Sequence, residues 1–119
     1  MISTLLVSLI AALHLYILVL EMAFWETPRA RFSFGTTPEF AKATKVLAAN
    51  QGLYNGFLAA ELIWSLWLSV AGAGQPWAVF FLICIAVAGI FGAATASRRI
   101  LFIQTVPAAL ALMAIFVGI

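Results

Sequence analysis

NQGLYNGFLAAELIWSLW, residues 50–67, is apolar enough for a bilayer, yet it carries Asn50, Gln51, Tyr54, Asn55 and Glu61. Gly52, Gly56 and Ala60 recur at four-residue spacing, which lines three small residues along one helical strip. In lipid such a strip lets another helix approach closely, and buried amides and carboxyls seek partners across helices. An ionisable side chain at the centre of a spanning helix costs about 2.5–3.5 kcal/mol on insertion scales, so Glu61 marks a candidate functional site.

The rest of the chain has the same character. It has 119 residues, of which 66% are hydrophobic and 8% charged, with a mean hydropathy of +1.16. Soluble domains carry about 25% charged residues. So few charges cannot cover a water-facing surface, which makes the bilayer the expected solvent and a single domain the expected organisation. A net charge of +2, scattered along the chain, excludes a nucleic-acid-binding surface. Cys84 stands alone in an apolar run, where it reads as a small buried hydrophobe.

Four spans are expected, over about residues 2–25, 38–71, 77–96 and 100–119. The first contains only His14 and Glu21 as polar interruptions. It lacks a basic start and a small-residue cleavage site, so it reads as a retained helix. Residues 26–36 read as a polar connector. Thr37-Pro38-Glu39 then forms a helix start, with Thr37 as cap and Pro38 in the first position. AGAGQ at 71–75 reads as a tight turn before Pro76, which again suits a first helical position. Pro107 is expected to bend the last span and free a backbone carbonyl. These elements predict an all-α, four-helix integral membrane bundle.

Orientation follows from the cations. Arg29, Arg31, Lys42 and Lys45 lie between the first two spans, and Arg98 and Arg99 between the last two. Both connectors fall on one side, which the positive-inside rule makes cytoplasmic and which leaves both termini outside.

Counting inward from the cytoplasmic ends groups the polar residues by depth. Glu21, Asn50, Gln51, Asn55 and Gln104 form a cytoplasm-facing layer, with Arg98 or Arg99 as a ligand for an anionic head or, more simply, as a topology anchor. His14 and Glu61 fall roughly 15–20 Å in, near the midplane, with Tyr54 close by. Helical spacing puts His14, Leu18, Glu21 and Trp25 on one face of the first span. Leu66 is read as facing lipid, and the tryptophans as belt or packing residues. A His14–Glu61 hydrogen bond would be either structural or a working site. One histidine with carboxylates falls short of a zinc or di-iron set, so neither a metal nor another cofactor is expected. No triad, phosphate loop or dinucleotide fingerprint is present.

LHLYILVLEMAFWETP at 13–28, TPEFAKATKVLAANQGLYNGFLAA at 37–60, AGIFGAATASRRILF at 88–102 and QTVPAALAL at 104–112 resemble a family of small bacterial four-span proteins. That family is catalogued as the domain of unknown function numbered thirteen hundred and four. The resemblance implies the bacterial inner membrane and brings no catalytic roles. A weaker similarity, to the eicosanoid and glutathione metabolism membrane proteins, rests on Asn50 and Tyr54. The Arg and Glu of that motif fall on Val46 and Leu53, which argues against glutathione chemistry.

Three functions are compatible with these residues. The first is binding of a lipid-like or amphiphilic small molecule at the polar cluster. The second is a membrane enzyme of the glutathione-transferase type. The third is a small proton-coupled exporter using Glu61 or Glu21. Whether the chain is an enzyme is left open by its residues. Homo-oligomers through Gly52, Gly56 and Ala60, or through Gly89 and Ala93, are an expected partner mode beside the lipid bilayer.

Overall fold

With no water to bond to, a backbone in hydrocarbon must satisfy its own polar groups, and helices do so within one segment. The computed structural model describes residues 1–119, and its regular structure is helical throughout. α1 (Ile2–Met22) is followed by two short helices, α2 (Pro28–Phe34) and α3 (Pro38–Ala43), and then by α4 (Lys45–Trp67). A π-helical turn (Ser69–Ala73) leads into α5 (Gln75–Thr95), and a second π-helical turn (Leu101–Thr105) into α6 (Val106–Val117). α1 and α5, each of 21 residues, are long and apolar enough to cross a membrane. Leu101–Val117 is a shorter apolar stretch.

The chain divides into two compact units, Met1–Ala12 with Leu58–Ile119, and Leu13–Phe57. In the first, Leu62, Leu82, Ile85 and Ala111 are completely buried in one apolar core with Val7 and Ile10. Leu66 packs partly buried against this core, so it does not face lipid as its sequence suggested. α5 meets the second π turn and α6 at a close approach. A Cβ added to Gly89 would strike the Thr105 hydroxyl and lie 2.8 Å from its backbone nitrogen. The Thr105 hydroxyl donates to the Ala86 carbonyl at 3.0 Å. At the far end, the Ser3 amide donates to the Ile119 carbonyl at 3.0 Å.

Pro107 explains the second π turn. The amide of Val106 reaches back five residues to the Leu101 carbonyl, so the proline falls in the first turn of α6, where its missing N–H is not needed. The AGAGQ turn begins earlier than its composition suggested, with Ser69 already left-handed at φ 72° and a kink at Gly72.

The second unit holds most of the departures from simple spans. Residues 38–71, expected as one helix, come as α3, α4 and the first π turn, with a break at Thr44. Residues 28–34, expected as connector, are helical. Thr27 caps α2 by accepting from the Ala30 amide at 3.4 Å, Pro28 takes the first turn, and Gly35 closes it in the left-handed region. Thr37 caps α3 in the same way, at 3.1 Å from the Phe40 amide. The Trp25 indole donates to the Thr44 hydroxyl at 3.0 Å, and its ring lies 4.9 Å from that of Phe34. That one side chain thus ties the α3–α4 junction to α2.

Candidate functional site

The site is built where α4 meets the second half of α1. A Cβ at Gly56 would come within 2.5 Å of Leu18 Cδ1. One at Gly52 would lie 2.7 Å from Met22 Cγ and 3.2 Å from the Leu18 carbonyl oxygen. Two glycines one turn apart therefore bring the helices together, as the small-residue strip implied. The partner at Gly52 and Gly56 is α1 of the same chain.

This close approach encloses an acid. Glu21 is 6% exposed, and its Oε1 accepts from the Asn55 amide at 2.6 Å. The same amide nitrogen donates to the Gln51 carbonyl at 3.3 Å. One side chain thus anchors to its own helix and reaches across to the next. Glu21 Oε2 takes part in no hydrogen bond, and no lysine or arginine pairs with the carboxylate. The ion pair of the protein joins Lys45 to Glu26 at 3.7 Å, between well-exposed side chains. Burying a charge is costly without a partner, and a neutral amide compensates only part of it. The arrangement can therefore accept a proton, a cation or a hydrogen-bond donor at Oε2.

His14 is completely buried, two turns before Glu21, and Leu18 and Trp25 are partly buried. The part of the expected face that lies on α1, His14, Leu18 and Glu21, is accordingly an inward one, and Trp25 falls outside it because α1 ends at Met22 and not at residue 25. Asn50, Gln51 and Tyr54 are exposed, Tyr54 by 57%, with its ring edge-on to Phe57 at 5.8 Å. Within this unit the structure joins Glu21, Asn55 and the Gln51 backbone, and leaves Asn50 and Tyr54 outward. Glu61, Arg98 and Gln104 belong to the other unit. Glu61 and Gln104 are half-buried there, Gln104 beside Gly89, and Arg98 is exposed.

Two contacts had no clear sign in the sequence, the Trp25–Thr44 bond and a bond from Arg29 Nε to the Tyr16 hydroxyl at 2.7 Å. Each depends on α2 and α3 being helices that fold back toward α1 and α4. The repeated Thr-Pro of 27–28 and 37–38 is the signal that would have found α2.

A family model described as "Protein of unknown function (DUF1304)" matches residues 8–116. The chain belongs to this family. The matched region contains Glu21, Asn55 and both close-packing glycines as well as α5 and most of α6, so the family model spans both units. No curated protein and no solved structure shows significant similarity to the chain.

Proposed function

We propose that this family member is a four-span protein of the bacterial inner membrane, with both termini outside. In this reading its Glu21–Asn55 pair holds the polar head of a lipid-like or amphiphilic small molecule. The membrane part rests on α1 and α5, whose most apolar windows are only 28% and 22% buried. A core helix of a soluble protein would be mostly covered. Trp67, Phe91, Phe116 and Val117 are each 69–75% exposed, which suits lipid contact and not water.

The observation that carries the binding reading is the Glu21 carboxylate, on a residue only 6% exposed, with a neutral amide on one oxygen and no cation paired with it. An amine or other donor-bearing head would complete it, and the apolar surroundings suit a tail. The glutathione-transferase reading finds no such support, because Val46 and Leu53 present exposed apolar side chains, 84% and 43%, where that motif needs charge.

Dodecylamine and dodecyl sulfate, added to the protein in maltoside detergent, test this. Dodecylamine should raise the thermal unfolding temperature of the wild type in proportion to occupancy, dodecyl sulfate should not, and Glu21→Gln should remove the response. Equal responses to both amphiphiles, or an unchanged response in Glu21→Gln, would contradict the binding reading.

A further inference from the structure

Arg29 is a cation that its own unit leaves without an acid. Glu26 is taken by Lys45, Glu21 is bonded to Asn55, and Glu39, the third acid of the unit, makes no ion pair. Arg29 stands in the first turn of α2, beyond the end of α1, yet its Nε donates to the Tyr16 hydroxyl at 2.7 Å. Its guanidinium carbon lies 5.8 Å from the centre of the Tyr16 ring. Tyr16 precedes the last residue of α1, Met22, by six positions, or about 9 Å along the helix axis. The arginine therefore folds back along the outside of α1 instead of reaching toward water, which is the usual course for a long basic side chain at a helix end.

Both residues are exposed, Tyr16 by 41%. Because Nε is spent on the phenol, the outer edge of the fork, Nη1 with Nη2, makes no bond within the chain. That edge is planar and matches two oxygens of a phosphate. Val19, one turn on from Tyr16 along the same face of α1, is also 41% exposed, and Phe32 of α2 is 83% exposed. Exposed apolar residues thus stand one turn on from Tyr16 along α1 and one turn on from Arg29 along α2.

We propose that Arg29, held by Tyr16, binds the phosphate of an anionic phospholipid whose acyl chains lie along α1; the proposal rests on the membrane reading above. A cation tied back against a lipid-facing helix calls for an anion at that depth, and the lipid phosphate is the one a bilayer supplies. These exposed apolar residues favour a lipid over free phosphate. The site is opposite in charge to Glu21, so the two select different heads.

Native mass spectrometry of delipidated protein in maltoside, given equimolar phosphatidylglycerol and a diacylglycerol of the same chains, which lacks the phosphate, tests the proposal. The wild type should retain phosphatidylglycerol about tenfold over the diacylglycerol, the scale of one charge-assisted bidentate contact. Arg29→Gln should erase that preference and Tyr16→Phe should reduce it. Arg31→Gln, whose Nε is spent on the Glu26 carbonyl, and Glu21→Gln should both keep it. An unchanged preference in Arg29→Gln, equal retention of both lipids by the wild type, or displacement of phosphatidylglycerol by equimolar inorganic phosphate would overturn the proposal. So would a lipid-free dimer that Arg29→Gln dissociates, because the anion would then belong to a second copy. A chain recovered without detergent would instead strike at the membrane reading. Loss of the dodecylamine response with lipid preference intact would strike only at the Glu21 site.

Discussion

The two units are held together by different chemistry. In Leu13–Phe57 side chains bond to side chains, as Asn55 to Glu21, Trp25 to Thr44, Arg29 to Tyr16 and Lys45 to Glu26. In the other unit the hydroxyls turn to backbone, Ser65 to the Leu62 carbonyl and Thr105 to that of Ala86, around a core of Leu, Ile, Val and Ala. The apolar unit is ordered by packing with a few hydroxyl-to-backbone bonds. The polar unit contains a buried acid that packing does not explain, and that contrast is the reason for locating function there.

The largest expected break in this comparison is Gly89→Leu. Its new side chain meets the Thr105 backbone nitrogen, which cannot rotate away. At Gly56 the obstacle is the flexible end of Leu18. Thermal unfolding in detergent should show Gly89→Leu losing about 3 kcal/mol or more and Gly56→Leu about 1–3 kcal/mol. The reverse order would mean that the polar unit is the more tightly packed of the two.

Next comes Asn55→Leu, which strips Glu21 of its amide and should cost about 1–3 kcal/mol. Adding Glu21→Leu should recover much of that loss, since an apolar pair leaves nothing unsatisfied. A double variant as unstable as the sum of its parts would show that the carboxylate never depended on Asn55.

Smaller again is Trp25→Phe, which keeps a ring against Phe34 and loses only the bond to Thr44. About 1 kcal/mol is expected, and the double variant with Thr44→Val should lose less than the sum of the two single losses, although that change also removes the hydroxyl's bond to the Phe40 carbonyl. Additive losses would show that Trp25 acts through its bulk alone.

Much of this contrast was legible in the sequence. The spacing of Gly52 and Gly56 announced a close helix contact, and the face carrying His14, Leu18 and Glu21 is one that α1 turns inward, whereas Trp25 lies in the turn beyond the end of α1 at Met22. What spacing cannot supply is rotation about each helix axis. Asn50, Gln51 and Tyr54 looked as eligible as Asn55, and only Asn55 points its amide at Glu21. The Thr44 break has no sign in the sequence because threonine is an ordinary helix residue; here its hydroxyl accepts from the Trp25 indole and donates to the Phe40 carbonyl. The π turn before Pro107 follows a rule that was half visible. Proline had to disturb the last helix, but whether by a bend or by a change of hydrogen-bond register depended on how α5 and the turn packed.

The central claim is that residues 13–57 hold a ligand site while the apolar unit is scaffold. Photolabelling with a diazirine-bearing alkylamine, followed by peptide mapping, tests it most directly. The account predicts label concentrated in peptides of residues 13–57, displaced by dodecylamine and lost in Glu21→Gln. Label spread evenly over the exposed apolar faces of α5 and α6, indifferent to Glu21, would contradict it.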